Sequence, residues 1–160
     1  MSIKDELISE NDVAKLFSSV NTNDGGMVYI LPEVSTSGKG DLINEYSPDL
    51  KKFAKTKNIP CSLIYDKDNY DYLSLRDSEI LLPFIISLSA AACYDLLKPY
   101  IIRFFNEKKN LKVRLITKRK KESEYRKIVI KGDAEEVVRA LEVLKGDEND
   151  GIWKCCYDIS

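Results

Sequence analysis

The sequence predicts an α+β (mixed α/β) fold, a single domain in which a sheet of about five strands carries packed helices. The first observation is an uncharged stretch, residues 80–94, which is more apolar than the rest of the chain. The second is that segments with the periodicity of strands or helices alternate on both sides of it, separated by turn-forming residues. We therefore expect the apolar stretch to form one central buried hydrophobic helix.

The length and composition fit one domain with a well-charged surface. The chain has 160 residues, of which 44% are hydrophobic and 32% are charged, and a chain of this length ordinarily builds one core. The predicted domain covers residues 1–146, with a soft boundary near residue 98, and residues 147–160 form a C-terminal tail or an added edge strand. The net charge of −1 favours no class of partner.

The N-terminus and the cysteines indicate a compartment. Residues 1–10 are polar and acidic, without the pattern of a signal peptide. The four cysteines include no C-x-x-C pair, and the chain has no histidine, so neither a disulfide framework nor a zinc site is expected. We therefore predict a cytoplasmic protein with no metal and no other cofactor.

Residues 77–107 are predicted to form the central helix. The stretch is longer than a typical strand of about 5–6 residues, and the three consecutive alanines at 90–92 favour a helix. Asp77 and Ser78 supply side chains of the kind that caps a helix N-terminus.

Two prolines and the length of the apolar run refine this prediction. Pro83 falls in the first helical turn, where its missing N–H costs little, whereas Pro99 is expected to kink or divide the helix. A membrane span competes with a core helix, but it requires roughly 17–25 mostly apolar residues. The uncharged run ends short of that length at Asp95, so a core helix is preferred and no membrane span is expected.

The residues before the central stretch are predicted to form helices and short strands. Apolar side chains recur at helical spacing across residues 2–18. Three segments have the pattern of short strands, namely 27–31, 61–65 and 72–75. The tripeptide Ser-Pro-Asp at 47–49 is typical of a helix start, and Asn58 is expected to end that helix. Asp41 is a candidate cap for an earlier helical turn.

The residues after the central stretch are predicted to form a β-hairpin and a closing helix. A strand is expected at 111–117, since Leu111, Val113 and Leu115 alternate with other side chains, and a return strand is expected at 125–131, where Ile128 and Ile130 share a face. Asp133 is the predicted cap of the following helix, and Gly146 is expected to end it.

The order of the predicted elements in residues 87–144 is similar to that of one known family. This segment contains an Ala-rich helix, a basic break, a charged hairpin and a helix that starts with acidic residues. In this order it resembles the small bacterial effector-associated constant components that occur beside the effectors of conflict systems. The resemblance is one of pattern and assigns no functional residue, and it implies a non-enzymatic adaptor.

The predicted function is that of a non-catalytic protein–protein interaction module or adaptor, bacterial or from a mobile element. Without histidine or a serine in a nucleophile motif, no catalytic residue is predicted. The partner is another protein, and the apolar content also predicts a homo-oligomer. The contact is expected on the hydrophobic helix or on the C-terminal tail, with Ile152, Trp153 and Tyr157. Packing of that tail on the chain's own sheet explains the same side chains.

A protein that binds nucleic acid or a nucleotide phosphate is the alternative. The tripeptide Gly38-Lys39-Gly40 is expected between a strand and a helix, where α/β proteins often bind phosphate, although it lacks the residues of a P-loop. The hairpin tip carries four consecutive basic residues, which are Lys118, Arg119, Lys120 and Lys121.

Arg126 and Lys127 lie near this tip on the return strand, and four further basic residues could extend its contact with phosphate groups, namely Lys108, Lys109, Lys112 and Arg114. A flexible loop and a solvated, lysine-rich turn explain the same residues without any ligand. Glu122 and Glu124 also dilute the positive charge, so the sequence favours a protein partner over nucleic acid.

Overall fold

The computed structural model describes residues 1–16, 26–36, 40–73, 78–118 and 125–150, and within them the chain forms nine strands and four helices. The strands are β1 (Ser2–Ile8), β2 (Val28–Leu31), β3 (Val34–Thr36), β4 (Gly40–Asn44), β5 (Cys61–Leu63), β6 (Tyr70–Leu73), β7 (Ile80–Ser87), β8 (Asn110–Lys118) and β9 (Tyr125–Asp133). The helices are α1 (Glu10–Leu16), α2 (Ser47–Thr56), α3 (Ala90–Phe104) and α4 (Ala134–Asp150). None of the helices in these ranges combines the length and the apolar character needed to cross a membrane.

The strands build a large mixed sheet and a small one. The large sheet has the order β1-β9-β8-β7-β2-β5, with β7 parallel to β8, β2 parallel to β5 and the other neighbours antiparallel. The small sheet has the order β3-β4-β6. Helices and a mixed sheet thus share one domain, which confirms the predicted α+β class.

The predicted central helix is wrong in its first half. Ile80–Ser87 is the strand β7, and the helix α3 begins only after Ser89, whose hydroxyl accepts a hydrogen bond from the Ala92 N–H at 3.2 Å. Ser78 precedes the strand and does not cap the helix, and Asp77 lies outside the described residues. A central strand is buried on both faces and therefore has a continuous apolar run, which periodicity does not distinguish from a buried helix. The buried hydrophobic helix itself is confirmed in α3.

The two prolines of this stretch occupy different elements. Pro83 lies in β7, where the register with β8 shifts between Leu81 and Phe84, and a strand tolerates proline at such an irregularity. Pro99 lies inside α3, which continues to Phe104 and is not divided at this residue.

The N-terminal segment is a strand followed by a short helix, so the helix predicted across residues 2–18 is wrong for β1 and is confirmed in α1. β1 pairs with β9 along its whole length, from Ser2 opposite Lys131 to Ile8 opposite Tyr125. This pairing with a strand distant in sequence supplies backbone hydrogen bonds to β1. Such tertiary contacts override a local helical pattern, which is only a weak preference.

The helix predicted from the tripeptide at 47–49 is confirmed as α2, with Pro48 in its first turn. Asn58 has a left-handed backbone, with a φ of 58°, just beyond the helix, as expected for a residue that ends one. Asp41, in contrast, lies in the strand β4, so the predicted earlier helical turn is wrong. Pairing of β4 with β3 on one side and with β6 on the other fixes this segment as a strand.

The predicted hairpin and closing helix are confirmed. β8 and β9 pair antiparallel in an unbroken register along their full length. The Asp133 carboxylate accepts from the Glu136 N–H at 2.8 Å, and the Glu136 carboxylate accepts from the Asp133 N–H at 3.1 Å, which is a reciprocal capping box. α4 continues to Asp150, so Gly146 does not end it. A glycine inside a helix costs only about 1 kcal/mol relative to alanine, which the rest of the helix outweighs.

The two faces of the large sheet have different partners. On one face, α2, α3 and α4 pack apolar side chains against the strands and form the main core, in which Leu50, Leu97 and Leu141 are fully buried. We call this the helix-covered face. On the other face, a smaller apolar cluster surrounds Val13 of α1 and Tyr125 of β9.

Candidate functional site

Basic residues share one face of the large sheet, opposite the helix-covered face. Consecutive side chains of a strand point to opposite faces, and Leu111, Val113 and Leu115 of β8 belong to the core under the helices. The alternate residues of β8 and their partners on β9 and β1 face the other way. We call the basic residues among them the basic face, which consists of Lys4, Lys112, Arg114, Lys118, Lys127 and Lys131.

Lys112 and Lys131 form the centre of the basic face. They lie directly opposite each other in the pairing of β8 with β9, and Lys4 lies beside them on β1. Like charges directly opposite across two strands destabilise a sheet. Burial lowers the pKa of Lys112, and the neighbouring positive charges of Lys131, Arg114 and Lys4 lower it further. Each of these three cations is therefore close enough to Lys112 to repel it.

Arg114 is a structural cation within the basic face. Its guanidinium donates to Glu33 Oε1 at 2.6 Å and to the Leu82 carbonyl at 3.0 Å. Both ionic side chains are largely buried, with 14% of the arginine and 4% of the glutamate exposed. Glu33 Oε1 also accepts from the amide of Asn44, at the end of β4, at 3.1 Å. The pair therefore connects the large sheet to the small one.

Lys4, Lys112 and Lys131 are the cations that remain available for a ligand. None of the three forms an ion pair within the part of the chain that the structure describes. Lys4 and Lys131 are exposed, and Lys112 is half-buried. Two acids beside them, Glu6 on β1 and Glu79 ahead of β7, offset part of the positive charge. The basic residues outnumber the acids, so the basic face keeps a net positive charge.

Phe84 lies within the basic face, on β7. The Arg114 guanidinium lies 5.1 Å from the centroid of its ring, and the Lys127 ammonium lies 5.7 Å from it. A cation is attracted to the face of an aromatic ring at such distances. The ring therefore helps to position two of the cations side by side.

The tripeptide Gly38-Lys39-Gly40 has a different setting from the predicted one. Gly38 and Lys39 lie outside the described residues. Gly40 begins β4 with a φ of 85°, and a Cβ there would lie 2.6 Å from the Asn69 carbonyl oxygen, so a glycine is required for packing. A strand follows this glycine directly, so the loop lacks the helix N-terminus that the phosphate-binding prediction needs.

The hairpin supports the predicted basic patch on its strands. Lys118 lies at the end of β8 on the basic face, and the register places Lys112, Arg114 and Lys127 on that same face. The prediction is wrong for Arg126, which points to the opposite face and donates to Asp5 Oδ2 at 2.9 Å, because neighbouring side chains of a strand alternate between faces. Lys108 and Lys109 precede β8 and are not part of the paired strands. The other predicted contact residues lie outside the described ranges, namely Arg119, Lys120, Lys121, Ile152, Trp153 and Tyr157.

The predictions from sequence missed two members of the basic face, Lys4 and Lys131. The even spacing of Lys127 and Lys131 along one strand is a signal for the second of them, because residues an even number apart share a face. Lys4 has no comparable signal. Its position depends on the pairing of β1 with β9, which joins the two ends of the sequence.

Within the described ranges, the two cysteines lie apart from the basic face and no metal-binding cluster is found. Cys93 is buried in the main core, and burial raises the pKa of Cys61 to about 11 although Lys51 acts in the opposite direction. A thiol with such a pKa is protonated and unreactive at neutral pH. In the described ranges, no three acids or cysteines are grouped so that they could hold a metal ion.

Comparison with known proteins adds no information on the basic face. No family model matches the chain, and the comparisons with curated proteins and with solved structures likewise gave no match. The resemblance of residues 87–144 to effector-associated constant components therefore stays a prediction.

Proposed function

We propose that this protein is a non-catalytic nucleic-acid-binding module whose basic face contacts the phosphate backbone. The observation that supports it most strongly is the pair Lys112 and Lys131, directly opposite on neighbouring strands and next to Lys4. In the free protein these positive charges repel one another. A phosphate group between them replaces that repulsion by attraction, because each phosphate accepts charge-assisted hydrogen bonds from several lysines.

The charge distribution supports binding through one face. The net charge of the chain is −1, so acidic residues elsewhere balance the positive charge of the basic face. A polyanion is attracted to the basic face, which orients it on the sheet. Contacts of lysines with phosphates carry no base information, so we expect affinity for many sequences.

The test is the affinity of the purified protein for a short, fluorescently labelled single-stranded DNA, measured by anisotropy. The double variant Lys112→Gln, Lys131→Gln is expected to lose affinity by about tenfold, because it removes two phosphate contacts. The matched control is Lys51→Gln, Lys52→Gln, which changes the net charge equally on the exposed side of α2. The control is expected to bind like the natural chain. Equal losses in the two variants would contradict the proposal.

An adaptor that contacts another protein is the second candidate, and one observation favours it. One side of α3 is buried in the domain, yet Ile102 and Phe104 near its end expose 61% and 47% of their surface. The partner that we propose is a second copy of this chain, because a two-fold interface would bury the same apolar side chains of both copies. The predicted bacterial and cytoplasmic setting, beside a conflict-system effector, belongs to this candidate.

Light scattering over a concentration series tests the adaptor candidate. The natural chain is expected to dimerise, and Ile102→Asp is expected to be monomeric at the same concentrations. Lys108→Asp introduces the same side chain at an exposed position of the following turn and serves as the control. A natural chain that stays monomeric throughout would contradict self-association.

A further inference from the structure

A cavity of about 370 Å³ lies between the start of α2 and the end of α3, away from the basic face. Four aromatic rings line it, those of Tyr46, Tyr100, Phe104 and Phe105, together with the carboxylate of Asp49. A volume of this order is in the range of sites for small molecules, which are commonly about 300–1,000 Å³. An apolar wall with one anionic group limits the class of ligand that fits.

The four rings form one packed cluster. The centroid of the Tyr100 ring lies 4.9 Å from that of Phe104 and 5.9 Å from that of Phe105, and Tyr46 lies edge-on to Phe105 at 5.7 Å. Tyr100 is buried, whereas Phe104 is 47% exposed, so the cluster extends from the core to solvent. Mutual packing of the rings fixes the wall of the cavity before any ligand binds.

The electrostatic environment of the cavity is negative on the side of α2. The Tyr100 hydroxyl donates to Asp49 Oδ2 at 3.2 Å. Burial and the Asp49 carboxylate raise the pKa of Tyr100, and burial and Glu45 raise the pKa of Tyr46. The negative groups that raise these pKa values would stabilise a positive charge placed among the rings.

Cations of the chain already lie against this aromatic cluster. The Arg103 guanidinium lies 5.6 Å from the centroid of Phe104, and the Lys57 ammonium lies 5.5 Å from that of Phe53, which packs on Tyr100. Such contacts are worth roughly 0.5–1 kcal/mol at exposed sites and more when the cation is desolvated.

We propose that the cavity binds a small organic ammonium ion, held by the aromatic rings and by the carboxylate of Asp49. Lys109 also lines the cavity, and Arg103 lies against Phe104, so the positive charges of both residues oppose the ligand. This repulsion favours a compact ion with one positive charge, placed on the side of Asp49. The proposal concerns a site apart from the basic face and does not rest on nucleic-acid binding.

The test is an NMR titration of the full chain with choline, followed by the ring resonances of the tyrosines and phenylalanines. The comparison ligand is 3,3-dimethylbutanol, which has nearly the same shape as choline and no charge. Choline is expected to shift the ring resonances saturably, and the alcohol is expected to bind at least about tenfold more weakly, because it lacks the cation. Equal binding of the two compounds would overturn the proposal.

Two single variants test the charges. Asp49→Asn keeps an oxygen for the Tyr100 hydroxyl and is expected to weaken choline binding by about tenfold, whereas the control Glu10→Gln on α1 leaves it unchanged. Lys109→Gln is expected to strengthen binding, because it removes a like charge.

If butyrate binds better than choline and Lys109→Gln abolishes that binding, the cavity is an anion site and the proposal is wrong. The double variant with Lys112→Gln and Lys131→Gln should leave the choline titration unchanged. This result would show that choline does not bind at the basic face.

Discussion

The two faces of the large sheet differ in composition and in burial, although both are made by the same strands. The helix-covered face carries the main core, and its side chains on β8 are buried and apolar. The basic face carries a like-charge pair in register and an arginine whose charge is neutralised by a buried glutamate. Burial of the apolar side chains on the helix-covered face stabilises the folded chain. The lysines of the basic face add little to that stability. This difference is consistent with the proposal that the basic face binds a ligand.

The largest expected effect concerns Glu33, which holds Arg114 on the basic face. Glu33→Ala leaves the largely buried guanidinium without its carboxylate and is expected to lower the free energy of unfolding by about 3 kcal/mol. Urea denaturation followed by circular dichroism measures the change. Glu6→Ala, an exposed acid of the same face, is the control and should change stability by less than about 0.5 kcal/mol. A small effect of Glu33→Ala would mean that Arg114 is not anchored and belongs with the available cations.

The second prediction compares one substitution on the two faces of the hairpin. Val113 is buried on the helix-covered face, and Val129 is half-buried on the basic face. Val113→Ala is expected to lower the free energy of unfolding by about 2–3 kcal/mol through lost burial and a residual cavity. Val129→Ala, which leaves no enclosed cavity, is expected to cost about 1 kcal/mol or less. Equal losses in thermal or urea denaturation would contradict the distinction between the faces.

The smallest expected effect has the opposite sign. Lys112→Gln removes one member of the like-charge pair and is expected to raise the free energy of unfolding by about 0.5 kcal/mol near neutral pH. Folding lowers the pKa of Lys112, so the penalty for its positive charge is complete below that lowered pKa and disappears as the pH rises to the ordinary lysine value. The gain from the substitution should shrink over the same pH interval. Urea denaturation at several alkaline pH values checks this, and a variant less stable than the natural chain would refute the repulsion.

The parts of the fold that follow from local sequence were predicted, and the parts that depend on distant pairing were not. The hairpin β8–β9 and the capped start of α4 follow from alternation and from Asp133, which are local signals. β7 was mistaken for helix because a strand buried on both faces has no alternation. β1 was mistaken for helix because only its pairing with β9 determines its conformation.

The basic face could be predicted in part for the same reason. Lys112 and Arg114 lie on a hairpin strand that alternation identifies, so their common face follows from the sequence. Lys4 joins them through the pairing of β1, and Glu33 neutralises Arg114 from a segment far away in the sequence. The sequence therefore indicated basic residues on the hairpin, but not which of them are available and which are anchored.

The salt dependence of binding to single-stranded DNA tests the central claim most directly. The logarithm of the association constant is measured against the logarithm of the salt concentration for three proteins. They are the natural chain, the double variant with Lys112→Gln and Lys131→Gln, and the double variant with Lys51→Gln and Lys52→Gln. Each lost phosphate contact lowers the slope by about 0.7, so the variant of the basic face should have a slope smaller by about 1.4, while the α2 variant keeps the slope of the natural chain. Parallel lines for all three proteins would contradict a phosphate-binding role for the basic face.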